Sequence, residues 1–298
     1  MQEQIDAVRR MQAYIEQHID TVITPKQLSE VALFSPWHAR RLFEQYTGLS
    51  PAHYIRRLKL SKSALRLRDE SVRVLDVAME LGFGSVDGYQ RAFRNEFGVN
   101  PKEYADHPVP IWLFIPYPVV SQNQESKENI TMANTRNIFI QQIRKPARKV
   151  IIKRGIKADN YWDYCNEVGC DVWGLLTSIP SISGEPVCLF LPEAMCQPKE
   201  NSYVQGCEVD LDYDGIVPEG FEILELPAAD YLMFQGEPFE QDDFGKAIQE
   251  IWDAEQKYNP AMIGYHWDDS NPKIQLEPIG TRGYIEVVPV KKFDEAVE

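Results

Sequence analysis

The chain has 298 residues, 44% of them hydrophobic and 26% charged, a globular composition that excludes a disordered or fibrous protein. No stretch of eighteen apolar residues occurs, since the longest candidate, 109–120, is broken by three prolines; a membrane span is excluded, and the N-terminus lacks the apolar segment of a secretory leader. The net charge of −14 conceals two unlike parts, because residues 1–110 hold 15 Lys and Arg against 14 Asp and Glu, whereas residues 137–298 hold 14 against 29. A length near 300 predicts two domains. Five cysteines, all after residue 164 and without a CxxC pair, fit reduced thiols in a cytoplasmic protein.

In chain order, the first signal is a repeat with a spacing of fifty residues. Ser35, Arg41, Phe43, Gly48, Pro51 and Tyr54 recur as Ser85, Arg91, Phe93, Gly98, Pro101 and Tyr104. A fixed period means one supersecondary unit used twice. Thr24, Pro25 and Gln27 spell a capping box, Ser35 and Pro36 open the next helix, and Gly48 closes it. The second copy ends one helix at Gly82, caps the next with Ser85 and ends that at Gly98. Residues 51–68, opened by Pro51, run without internal Gly or Pro and read as a connecting helix. The result is an all-α domain of two helix-turn-helix units over residues 1–107.

The second helix of each unit carries the candidate chemistry. On 35–47, Ala39, Leu42, Phe43 and Tyr46 share a core stripe, while Trp37, Arg40, Arg41 and Glu44 fall opposite. Outward arginines can bond guanine O6 and N7 in a major groove, and the indole can pack on a thymine methyl. The bland alternative has Trp37 capping its own core and Arg41 paired with Glu44 or Glu30. On 85–97, Tyr89, Ala92, Phe93 and Phe97 are core and Asp87, Gln90, Arg91 and Arg94 face out. Asp87 repels phosphate, so this helix is the weaker reader. Residues 56–73 hold seven basic side chains against Asp69 and Glu70, with Arg66 the candidate phosphate contact; a solvated helix face is the plain alternative.

Residues 8–107, through SPWHARRLFEQYTG, IRRLKLSKSALRL and LGFGSVDGYQRAFRNEFGVNPKEY, resemble the DNA-binding domain of the AraC/XylS family, nearest its Rob/MarA branch. The resemblance implies two recognition helices in successive major-groove segments of promoter DNA. Family base-contacting positions map onto Trp37, Arg40, Arg41, Asp87, Gln90 and Arg91. Arg40 stands where the near relatives have Gln, and 86–88 replaces a more polar run, so a different target sequence is expected.

Residues 108–136 read as a linker, with 108–118 an apolar proline-rich tether and 121–136 a flexible polar link. From residue 137 short apolar runs alternate with turn residues. They predict strands at 149–153, 186–191, 203–208, 221–226, 231–235, 274–276 and 283–290, and helices at 160–168 and 242–258. An α+β domain of two similar halves over 137–298 follows. The chain contains no phosphate-binding glycine loop, GxSxG or HExxH, so no catalytic residue, metal or cofactor is expected. His266 to Asp269 read as a hydrated loop, and Cys165 and Cys170 as packed thiols. Tyr161, Tyr164, Trp173, Phe234, Trp252, Tyr265, Trp267 and Tyr284 supply aromatic surface that packs a core or lines a pocket for an apolar cation. Strand alternation groups Tyr284, Glu286 and Val288, which makes Glu286 the candidate carboxylate; Glu277, on a face with Lys273 and Gln275, reads as solvated.

The segments RGIKADNYWDYCNEVGCDVWGLL, VPEGFEILELPAADYLMFQGEP and QLEPIGTRGYIEVVPVKK resemble the GyrI-like small-molecule-binding domain. That resemblance implies two βαββ halves around a groove for lipophilic or cationic effectors, with Glu286 at the family's glutamate position. Together the two resemblances imply a cytoplasmic, effector-sensing transcription regulator, an activator acting with RNA polymerase. The alternatives make the second domain a ligand hydrolase or a protein-interaction module.

Overall fold

A computed structural model of the chain describes residues 1–117, 119, 137–197 and 201–293 and divides into two compact units, 1–131 and 132–298. The polar link at 121–136 lies outside the described residues.

The first unit is helical: α1 (Gln2–Gln17), α2 (Pro25–Ala32), α3 (Pro36–Thr47), α4 (Pro51–Asp69), α5 (Val74–Glu80), α6 (Val86–Phe97) and α7 (Pro101–Asp106). Local chemistry sets the ends. Thr24 Oγ1 accepts from Gln27 N at 3.3 Å and Gln27 Oε1 accepts from Thr24 N at 2.8 Å, closing the expected capping box. Ser35 and Ser85 cap α3 and α6 by accepting from His38 N and Gly88 N, without the reciprocal bond, and Gly48 and Gly98 end them in the left-handed conformation at φ 72° and 75°. The two turns differ by one residue. Phe34 N bonds Ser29 O and Phe83 N bonds Ala78 O, but Gly84 is inserted before the second cap. The left-handed position is Gly82 in the second turn and Leu33, at φ 59°, in the first.

Two cores result. Ala7, Val8, Met11 and Ile15 of α1 pack on Leu28, Leu42, Phe43, Tyr54 and Leu58. Leu60, Ala64 and Leu67 of α4 pack instead on Val77, Tyr89, Phe93 and Tyr104. Helix α4 is therefore apolar on different faces along its length. Between the cores, the buried Lys59 ammonium donates to Thr21 O at 3.1 Å and to Leu81 O at 2.6 Å. The apolar tether lies on this unit: Ile111 and Leu113 fill the second core, Phe114 stacks edge-on to Tyr54, and Phe114 N donates to Ser61 Oγ at 2.7 Å.

The second unit contains β1 (Phe139–Lys145), β2 (Arg148–Arg154), α8 (Tyr161–Glu167), α9 (Val172–Thr177), β3 (Val187–Phe190), β4 (Tyr203–Val209), β5 (Glu222–Leu226), β6 (Ala229–Gln235), α10 (Phe244–Lys257), β7 (Tyr265–Trp267), β8 (Lys273–Gln275) and β9 (Ile285–Lys292). Among the described residues one antiparallel sheet runs β1-β6-β9-β8-β3-β4-β2-β5, with β7 pairing β9. The topology repeats. After a helical crossover β2 pairs β4 and β4 pairs β3, just as β6 pairs β9 and β9 pairs β8; β3 and β8 join the halves. In this repeat Phe190 faces Tyr203 where Gln275 faces Glu286. Strands β1 and β5 each pair with the other half, which interlocks the two.

Helices α8 and α9 overlie Ile151, Cys207 and Val209, and α10 overlies Leu232, Phe234, Tyr284 and Val290. The opposite sheet face buries Val150, Val187, Leu189, Val204, Ile274 and Val287. It also buries an Arg148–Glu208 ion pair at 2.5 Å, backed by Lys145 and Tyr231. Among the described residues no cysteine forms a disulfide, and Cys170 is exposed rather than packed. Among the described residues no helix is long and apolar enough to cross a membrane.

Candidate functional site

The exposed faces of α3 and α6 place the sequence-predicted side chains outward. Trp37 is 70% exposed, and Arg40 and Arg41 flank it on the same face. The Arg41 guanidinium lies 5.6 Å from the Trp37 ring centroid, an arrangement that holds a planar cation on an aromatic plate. The internal carboxylate partner belongs to Arg40, which bonds Glu44 at 3.0 Å; Arg41 forms no ion pair among the described residues. Hence Arg41 is the cation left for an outside acceptor. On α6, Asp87, Arg91 and Arg94 are exposed and Gln90 is half-buried. Both helices present their N-terminal halves on ends capped by serine, so backbone N–H groups and side chains are available together.

The basic run at 56–73 does not form an open cationic stripe. Arg57 bonds Glu96 at 2.6 Å, Arg73 bonds Asp76 at 2.7 Å, Arg68 bonds Asp69 at 2.6 Å, and Lys59 is buried. Arg66, expected on phosphate, sits between Glu70 at 3.2 Å and Glu80 at 2.5 Å. Of these, Arg57 and Arg66 tie α4 to α6 and α5, while Arg68 and Arg73 meet carboxylates close by in sequence.

In the second unit the sheet gathers a buried charged cluster around Glu286, which is 0% exposed. Its Oε1 accepts from Trp252 Nε1 at 2.6 Å, Gln275 Nε2 at 2.7 Å and Tyr284 OH at 2.6 Å. Its Oε2 faces the Lys273 ammonium, which also bonds Glu255 at 2.6 Å, and the Glu255 carboxyl. Burial works against ionising Glu286, but Lys273 and the surrounding donors outweigh it and hold this carboxyl below the usual range. Burial, and then the Glu286 charge, push Glu255 up to about 8. One ammonium cannot balance two buried carboxylates, so the proton stays on Glu255.

Beside this cluster opens a cavity of about 1060 Å³, lined by Phe190, Glu193, Glu255, Trp267, Asp268 and Asn271 among others. Of the aromatic candidates, Trp252 and Tyr284 bond Glu286 and Trp267 lines the cavity. The other five are packed elsewhere. Tyr164 is buried against Tyr203 with its hydroxyl on Lys153 O at 2.8 Å, Tyr161 edges on Trp162, and the Trp173 indole bonds Glu277. Phe234 and Tyr265 are core beneath α10. Aromatic bulk fills cores before it lines pockets, which is why composition alone over-assigned them. Sequence reading also missed Glu255, Lys273, Gln275 and Asn271. The alternation Lys273, Gln275, Glu277 marks the face that holds the site, not a solvated one; Glu277 is itself half-buried, and burial raises its carboxyl above the ordinary range.

Paired helix-turn-helix units that present a Trp and arginines outward define a nucleic-acid-binding class. Residues 28–107 match the family described as Helix-turn-helix domain. The chain is 33% identical over 106 residues to Right origin-binding protein of Escherichia coli K12, covering 36% of this chain and 37% of that protein. It is 33% identical over 91 residues to Multiple antibiotic resistance protein MarA of Salmonella typhimurium, covering 30% of this chain and 72% of MarA. Among solved structures, a probable AraC family transcriptional regulator from Rhodopseudomonas palustris aligns at a TM-score of 0.32 and 27% identity, over 34% of this chain and 94% of that one. The chain belongs to the AraC/XylS-type helix-turn-helix family, and its N-terminal region is a DNA-binding domain of the Rob and MarA kind.

Proposed function

We infer that the chain is a one-component transcription regulator acting in the cytoplasm. Its helices α3 and α6 read neighbouring major-groove segments of promoter DNA, with Trp37, Arg40, Arg41, Asp87, Gln90, Arg91 and Arg94 at the base edges or sugars. The observation that carries this reading is the pair of equally capped helices whose outward faces hold Trp37 with Arg41 and Gln90 with Arg91 and Arg94. Rob of Salmonella typhimurium, named a transcriptional regulator, is 33% identical over 102 residues and supports it.

The second unit is proposed as a GyrI-like effector domain for a small cationic, lipophilic molecule. The repeated strand-helix-strand-strand pairing and the carboxylate-rimmed, aromatic-walled cavity support that part. The effector would bias the chain between states that engage DNA and RNA polymerase differently, with activation the expected sign.

Selection from random DNA, followed by mobility shifts and in vitro transcription, tests the reading. Arg41→Ala should cost about 1–3 kcal/mol on the selected site and relax preference at one position. Arg66→Ala, with its cation already between two carboxylates, should leave base preference unchanged. Recovery of no preferred sequence overturns the DNA reading. Lack of any effect of rhodamine 6G on binding or transcription overturns the coupling.

A further inference from the structure

The effector reading leaves open which carboxylate meets the ligand, and Glu286 is poorly placed for it. It is fully buried, it does not line the cavity, and its Oε1 already takes three donors. Glu255 is nearer the opening: its side chain is 13% exposed, and its Oε2 takes one donor, Lys273. It lies on α10 at the cavity wall, and its Oε1 receives no nitrogen donor among the described residues. A second group points the same way. Asn271, only 8% exposed, lines the same cavity with an Oδ1 that finds no donor among the described residues. An unmatched buried acceptor next to a carboxylate is a vacancy for a donor.

We propose that Glu255, rather than Glu286, is the carboxylate that receives a cationic effector in this cavity, with Asn271 Oδ1 as a further acceptor, and that Glu286 is a positioning residue acting through Lys273. The inference rests on the effector-domain reading above. The ligand class follows from the lining: an organic cation with an N–H donor and an apolar body. Four carboxylates, Glu193, Glu255, Asp268 and Asp269, meet one ammonium, Lys273, while Phe190, Trp267 and Val288 supply apolar wall.

The groups facing Glu255 are Lys273 from β8 and Glu286 from β9, with Tyr284 bonded to Glu286 behind it. In the empty site Lys273 is positive, Glu286 negative and Glu255 neutral, its proton lying toward Glu286. A cation that docks on Glu255 displaces that proton to solvent, so the buried charge sum is unchanged: one proton leaves and one cation enters. Burying an extra unbalanced charge is thereby avoided.

The test uses the full chain, with rhodamine 6G as cationic probe and 8-anilinonaphthalene-1-sulfonate as anionic probe, read by fluorescence and by calorimetry in buffers of different ionisation enthalpy. Glu255→Gln keeps the shape of a protonated carboxyl, so folding is retained. The expected result is saturable rhodamine binding by wild type with release of about one proton at pH 7, the value that follows from the folded-state carboxyl value near 8. Glu255→Gln should lose at least tenfold in affinity together with the proton. Glu286→Gln should bind rhodamine without proton release, because Glu255 then ionises alone beside Lys273; a merely structural role would not move that count. Asn271→Leu should weaken binding severalfold. Wild-type affinity in Glu255→Gln, or loss confined to Glu286→Gln, overturns the assignment while the effector reading stands. Wild type that binds only the anionic probe, or neither probe, overturns both and leaves the DNA-binding half untouched.

Discussion

Leu33 shows how a single side chain can sit against its own backbone. Its φ of 59° is a conformation that L side chains rarely adopt, and the side chain is 78% exposed, so little packing repays the strain. The equivalent turn of the second unit uses Gly82. Leu33→Gly should therefore stabilise the helical unit by about 0.5–1 kcal/mol, after the extra freedom of an unfolded glycine is subtracted. Urea denaturation followed by far-UV circular dichroism measures this, and a loss of stability would mean that Leu33 contributes contacts outweighing its strain. Glu255 gives a second residue-scale expectation, this time in pH. Its folded value near 8 lies above the ordinary unfolded carboxylate value of about 4.3, so the folded form holds an extra proton between those limits. Stability from this group is complete below the lower value and falls as pH rises toward the upper one. Thermal unfolding between pH 5 and pH 8 should show that decline in wild type and a flatter profile in Glu255→Gln.

Elements differ in how plainly the sequence announces them. Helices α2, α3 and α6 were legible because Thr24, Ser35 and Ser85 cap them and glycines end two of them. Strands β2 to β6 were legible from apolar runs. Strand β1 was not, because its residues are mostly exposed at a sheet edge and carry no apolar alternation. The cation cluster was hidden for a related reason: Lys273 and Glu255 read as surface charges until α10 and β8 bring them together. The core faces of α3 and α6 were readable, but whether Arg40 or Arg41 stays unpaired depends on which one Glu44 reaches. Helix α4 carries its own prediction. Lys59 ties carbonyls from both cores to one ammonium, and burial lowers its proton affinity. Lys59→Met keeps the length and removes both bonds, leaving two carbonyls short of a donor. The expected cost is about 2–3 kcal/mol, with lower cooperativity between the two cores. Unchanged urea midpoints for Lys59→Met would remove that bracing role.

At the scale of the whole chain, charge is divided unevenly, with a nearly neutral helical region and a strongly acidic remainder. Most cations at 56–73 are spent on internal carboxylates, so the proposed reading of DNA by α3 and α6 leans on those helices more than on a diffuse field. If α4 and the Lys59 bonds hold the two cores at one separation, the proposed reading helices are held at one spacing too. Insertion of one base pair between the two contacted segments turns them about 35° out of phase. Affinity should then drop to that of one helix alone, with protection lost over one segment in footprinting. Protection of both segments after the insertion would mean that the two cores swivel about α4.

The repeat in the sheet has a consequence for how such a molecule can change over time. Where one half seats Phe190 against Tyr203, the other seats Gln275 against Glu286, with the same strand order and register around each pair. The same position is thus aromatic in one half and charged in the other. On the proposed effector reading, substitutions at Lys273, Gln275 and Glu255 would alter what the second half attracts while the first half holds the register. New chemical tastes can thus arise by a few replacements, without renegotiating the fold.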